Sequence, residues 1–168
     1  MDSITQWKEK IDTFIKLSNK HNVRMIMVGG GAVNFHGYQR HSADVDFWID
    51  VTQKNLNGLI RVFREMGYEI NDFPDDVKEQ KQNISIKFSP VDIDLELITN
   101  FSSDKTFEEV YKDSESVVIN NNEFLKWNVI SYEDLINSKI KAQRPKDLLD
   151  VQQLQEIKKD IEKRKGEK

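Results

Sequence analysis

Two runs of this chain carry residue types whose spacing suits phosphate and metal chemistry. The first is Met27 to Asp50, MVGGGAVNFHGYQRHSADVDFWID. Gly29-Gly30-Gly31 ends an apolar run, and glycines, lacking Cβ, let the main chain approach a phosphate and aim N–H groups at it. Asp44 and Asp46 are two residues apart on a sequence that reads as a strand, so their side chains share one face. Neighbouring carboxylates repel each other unless a positive charge lies between them. A hard divalent cation is the usual occupant, and a magnesium site commonly combines one or two carboxylates with substrate phosphates. The second run is Asp92-Ile93-Asp94-Leu95-Glu96-Leu97. Strict alternation puts Asp92, Asp94 and Glu96 on one face. Three acids on one strand face are costly unless the face is wet, paired or metallated.

A third segment, Lys139 to Asp150, reads KIKAQRPKDLLD. Arg144 precedes Pro145 and is held extended where a helix begins. Lys146 falls in the first helical turn, where a cation opposes the helix dipole, so an anion is expected beside it. Asp147 and a bound triphosphate both fit that description. Asp147 and Asp150 share a helix side with Lys146, while Leu148, Leu149 and Val151 are expected to face the core. The segment reads equally as a nucleotide-closing edge and as a cluster of ion pairs.

The order Gly29-Gly30, Ala32, Arg40, Asp44-Val45-Asp46 resembles the pattern of the polymerase-β-type nucleotidyltransferase superfamily. The nearest likeness is to small bacterial stand-alone members of the abortive-infection-toxin and antibiotic-resistance kinds. Roughly a dozen residues separate the glycines from the acid pair in those families, as here. Lys139 followed by Arg144-x-Lys146-Asp147-x-x-Asp150 is similar to the same small proteins, and extends the resemblance over nearly the whole chain. Two features depart from the pattern: Gly31 stands where a larger residue is usual, and the later acid is embedded in a triplet.

The resemblance implies an α/β (α+β) nucleotidyltransferase fold, a mixed twisted sheet flanked by helices with the D-x-D strand central and helices at the C-terminus. It implies transfer of an NMP from an NTP to a hydroxyl of RNA, a protein or a small molecule such as an antibiotic. Asp44 and Asp46 would hold two Mg²⁺ ions, with Mn²⁺ as the alternative, and a third carboxylate on the later strand would share a metal and activate the acceptor. Asp92, Asp94 and Glu96 are all open to that role, and the central Asp94 is the expected one. Gly29 and Gly30 main-chain groups, Arg40, Lys139, Arg144 and Lys146 are the candidate substrate contacts, Arg40 being equally readable as structural. A toxin-like member would bring an antitoxin partner. The contrasting reading is a nucleotide- or partner-binding protein of the same fold without catalysis.

The elements that must position these residues follow from periodicity. The chain has 168 residues, which suits one domain with a sizeable core. The expected division is a core over 1–130, a helical part over 131–163 and a charged tail over 164–168. Ile11, Phe14 and Ile15 mark a first helix, and Val23 to Val28 a strand feeding the glycines. Asp44 to Asp50 is the second strand, Thr52 to Met66 an amphipathic helix ended by Gly67, and Tyr68 to Ile70 a short strand. Asp75-Asp76 reads as a turn after Pro74, Ile84 to Phe88 as a strand, Thr106 to Lys112 as a helix. Residues 116–130 form a hairpin around Asn120-Asn121-Asn122. Ser131 caps the next helix, and Pro145 opens the last. A formal charge of −4 argues against a strongly electrostatic nucleic-acid binder. The absence of cysteine excludes thiolate metal sites and a cysteine nucleophile. His36 reads as a loop residue and no His/Cys cluster suggests zinc. With no apolar leader and no membrane-spanning stretch, a cytoplasmic protein is expected.

Overall fold

A computed structural model describes residues 3–39, 44–88 and 94–166. The elements in order are α1 (Ser3–Lys20), β1 (Met25–Val28), α2 (Gly29–Phe35), β2 (Val45–Ile49), α3 (Gln53–Glu65), α4 (Asp75–Lys78), β3 (Ile84–Lys87), β4 (Asp94–Ile98), α5 (Phe107–Asp113), β5 (Glu115–Val118), β6 (Lys126–Val129), α6 (Tyr132–Ala142) and α7 (Pro145–Gly166). The strands form one sheet in the order β3-β4-β2-β1-β6-β5. β2 pairs parallel with β4, and β1 with β6; the other neighbours are antiparallel. The acid-pair strand β2 is interior, as the resemblance implied.

Strand alternation divides the core between two faces. Phe47, Ile49, Leu95 and Leu97 pack with Phe14 and Ile15 of α1 and Leu56, Leu59 and Phe63 of α3. Ile26, Val28, Trp48 and Val129 pack with Ala32 and Val33 of α2, Val110 of α5, Leu135 of α6 and Val151 and Leu154 of α7. Asp46 has the parity of Trp48, so the acids belong to the second face.

Among the described residues three helices are capped by hydroxyls, of which the sequence marked Ser131. The hydroxyls of Thr52, Thr106 and Ser131 accept from the N–H groups of Asn55, Glu109 and Asp134. Gly67 has φ +98, the left-handed conformation that ends α3. Other expectations need correction. Tyr68 to Ile70 is not a strand; the Ile70 carbonyl instead accepts from Arg64 Nε at 2.7 Å. Asp75-Asp76 opens the short helix α4. Most consequentially, the start of α7 buries its acids and exposes its leucines: Asp147 and Asp150 are 0% and 2% exposed, Leu148 and Leu149 51% and 49%. Among the described residues no helix is long and apolar enough to cross a membrane.

Candidate active site

β1 delivers the chain into Gly29, where it turns sharply with φ +63. Val28 lies in register with Asp46 on the neighbouring strand, and a Cβ on Gly29 would run into the Asp46 carboxylate. Glycine is required here twice, for the left-handed backbone and for the close approach.

The parallel pairing of β2 with β4 sets Glu96 directly beside Asp46, and the antiparallel pairing of β3 sets Ser85 beside Glu96. Asp94, on the same face, lies at the start of β4 beside Lys87. The Asp46 carboxyl is raised to about 6, by burial first and by the charges of Asp44 and Glu96, against the opposing pull of Lys146 and Arg144. Burial also raises Glu96, helped by Asp44 and Asp94 and opposed by a hydrogen bond from Ser85. Glu96 Oε2 and Asp94 Oδ1 are buried without a hydrogen-bond partner. The face therefore holds more negative charge than its surroundings neutralise.

The opposite wall is the α6–α7 junction. Gln143 ends α6 in the left-handed conformation, and the chain reverses into Pro145. Lys139 reaches across the junction to Asp150 at 2.9 Å and Asp147 at 3.4 Å. Arg144 donates twice to Asp147, at 2.6 and 3.1 Å. Burial would raise the Asp147 carboxyl, but Arg144 and Lys139 outweigh it and hold Asp147 below the ordinary value. Lys146 is exposed and faces Asp46 closely enough to act on its charge.

Between the walls lies a cleft of about 410 Å³. Gly29, Gly30, Asp44, Asp46, Glu96, Lys139, Arg144 and Lys146 all line it. It thus brings together the expected glycines, the acid pair and the three C-terminal cations from four separate parts of the chain. Asp94 is not among its lining residues, whereas Glu96 is. Arg40 and Asp92 lie outside the described residues. A larger cleft of about 680 Å³ lies between Tyr132 and the C-terminal half of α7, and contains neither the glycines nor the acid pair. His36 Nε2 donates to the Ile130 carbonyl, 2.7 Å away, at its edge.

Among the described residues no three His, Cys, Asp or Glu side chains already converge as a metal cage. The residues nonetheless fit a hard cation: crowded carboxylates, one pushed up to about 6, and an orphaned carboxylate oxygen on Glu96. Such a set supplies part of a magnesium shell that phosphates complete. The cleft also contains residues the sequence did not single out, Asn83, Asn100, Phe101 and Ser102. Nothing in their local pattern distinguishes them from loop residues.

A family model described as "Nucleotidyl transferase of unknown function (DUF2204)" matches residues 8–167. No curated protein matches the chain.

Proposed function

The chain belongs to this nucleotidyl transferase family, and on that premise we propose that it transfers an NMP from an NTP to a hydroxyl acceptor with release of pyrophosphate. The observation that carries this reading is the pairing of Asp46 with Glu96 across β2 and β4, in a cleft whose far wall is cationic. Asp44, Asp46 and Glu96 would hold Mg²⁺, or Mn²⁺, against the triphosphate. When bound, the metal pair neutralises charge on the attacking and leaving oxygens.

The chain's own residues do the rest. Gly29 and Gly30 bring main chain to the phosphates. Lys146 faces the acid pair and makes no ion pair among the described residues, which suits it to the triphosphate. Arg144 is shared between Asp147 and the cleft, and Lys139 is committed to Asp147 and Asp150. In the transfer step the acceptor oxygen bonds to the α-phosphorus while the α–β bridging bond breaks, and pyrophosphate takes its electron pair. The acceptor proton goes to Glu96 Oε2. A carboxyl raised by burial is a stronger base than an exposed one.

The third-carboxylate role is therefore proposed for Glu96 in place of Asp94. The sequence left both open, and strand register favours the residue beside Asp46. The acceptor class is a hydroxyl on RNA, a protein or a small molecule, the first two in a toxin with its antitoxin, the last in a resistance enzyme. The test is mass spectrometry of these acceptors after incubation with the protein, each of the four NTPs and Mg²⁺. An added NMP, with matching pyrophosphate and none from Asp46→Asn, is expected. Absence of both NTP binding and pyrophosphate release would overturn the reading.

A further inference from the structure

One end of the cleft is accounted for by the glycines, the acids and Lys146. The other end is not. It is lined by Asn83, Ile98, Asn100, Phe101, Ser102 and Leu135, and has a different chemistry. Ile98, Phe101 and Leu135 form apolar walls. Asn83, Asn100 and Ser102 add amide and hydroxyl groups, and no charged side chain lies among these six.

Glu96 and Ile98 share a face of β4, so this floor begins two strand residues, roughly 7 Å, beyond the acid centre. That is about the span of a ribose between an α-phosphate and its base. Phe101 is half-buried, and its ring is braced by Trp48 at 5.0 Å between centroids. It is thus a fixed aromatic surface at the cleft wall. Asn83 is fixed too. Its Oδ1 accepts from the Thr99 N–H at 3.0 Å, and Thr99 Oγ1 donates to the Gln82 carbonyl at 2.9 Å. With its oxygen engaged by Thr99, the Asn83 amide nitrogen remains as a donor on a residue that lines the cleft. Asn100 is exposed beside it. An aromatic face, aliphatic walls and oriented neutral amides suit a planar heterocycle, and offer a polyanion no neutralising charge.

We propose that this end of the cleft is the nucleobase subsite, with Phe101 as the stacking surface and Asn83 as the residue that reads the base edge. The inference deepens the nucleotidyl-transfer reading and rests on it. A base held here points away from the Ser85–Lys87 side of the sheet, leaving that side for the acceptor to approach Glu96.

The experiment compares binding of the four NTPs with binding of inorganic tripolyphosphate, by calorimetry on the full chain with Mg²⁺. Tripolyphosphate reports the phosphate end alone. Wild-type protein is expected to bind its preferred NTP more tightly than tripolyphosphate. Phe101→Leu, which keeps apolar volume, is expected to weaken that NTP about tenfold and leave tripolyphosphate unchanged, within the range for losing one base–aromatic stack. Asn83→Asp replaces the donor nitrogen by an accepting oxygen, and is expected to change the order of preference among the four NTPs. Because each variant is compared with itself on two ligands, loss of folded protein cancels in the ratio. Equal weakening of NTP and tripolyphosphate, or an effect on acceptor KM with NTP binding unchanged, would overturn the subsite. Wild-type binding of tripolyphosphate with no gain from any base would overturn it while leaving the phosphate site intact. Failure to bind either ligand would overturn it together with the function proposed above.

Discussion

At the residue scale, the acids of β2 and β4 are held in an arrangement that costs stability and that a bound cation would relieve. Asp46 has a folded value near 6 against an ordinary 3.8. The folded state therefore binds the additional proton, so the carboxyl's favourable contribution is complete below 3.8 and is lost as pH rises through about 6. In metal-free protein, Asp46→Asn is expected to melt like wild type at pH 4 and above it at pH 7. The gap should be roughly 1–2 kcal/mol once residual solvent access is allowed for. Mg²⁺ should raise the wild-type midpoint and not the variant's, and the variant should transfer no nucleotide. Parallel melting curves at all pH values would remove the electrostatic account. The second expectation separates the acids of β4. Glu96→Gln should lower the transfer rate by ~10²-fold or more, as loss of a general base does, and Asp94→Asn by much less. A larger loss at Asp94 would restore the assignment that the sequence alone suggested.

At the element scale, the start of α7 shows why the three C-terminal cations should not behave alike. Lys139 is 6% exposed and its partners Asp147 and Asp150 are 0% and 2% exposed. Removing it takes from both acids the ammonium that pairs with them and leaves Asp147 to Arg144. Lys139→Met is therefore expected to destabilise the fold by roughly 3–5 kcal/mol, the cost of breaking a buried pair from one side. Lys146, in the first turn of α7, is exposed and committed to no ion pair among the described residues. Lys146→Met should leave the thermal midpoint within about a degree or two of wild type, since surface substitutions cost little, while weakening NTP binding. The sequence reading grouped both lysines as substrate contacts; burial separates them. Thermal melts with and without NTP measure both effects, and an unshifted melt for Lys139→Met would contradict the positioning role. α7 tolerates buried acids here because Lys139 of α6 supplies counter-charge to both Asp147 and Asp150.

At the scale of the whole molecule, the cleft has two halves that belong to different parts of the chain. The glycines, β2 and β4 form one wall, and the α6–α7 junction the other. A ligand contacting both couples them. With Mg²⁺ and NTP at about a hundred times the dissociation constant, the fold should gain about 2.7 kcal/mol. Amide exchange should then slow together at residues 29–33, 94–98 and 144–151. Protection confined to the sheet side would mean that α7 does not close over the nucleotide.

The sequence by itself determined the acid pair on one strand face, the glycines before it, most of the element types and the cap at Ser131. Each is written in neighbouring residues: alternation of period two, a hydroxyl before a helix, a glycine where only positive φ serves. Proximity in the chain was enough. It also narrowed the third carboxylate to three positions of one parity and could go no further. Only strand register distinguishes Asp94 from Glu96, and register is a relation between β2 and β4, separated by some fifty residues. The face of α7 escaped for a related reason. Leu148 and Leu149 read as core by type, yet Lys139 made it favourable to bury Asp147 and Asp150 on that side, and the leucines turned outward. The far end of the cleft was not legible at all. Asn83, Asn100 and Phe101 carry no local pattern, and come to line one cleft only because the sheet and α6 fold around the space between them.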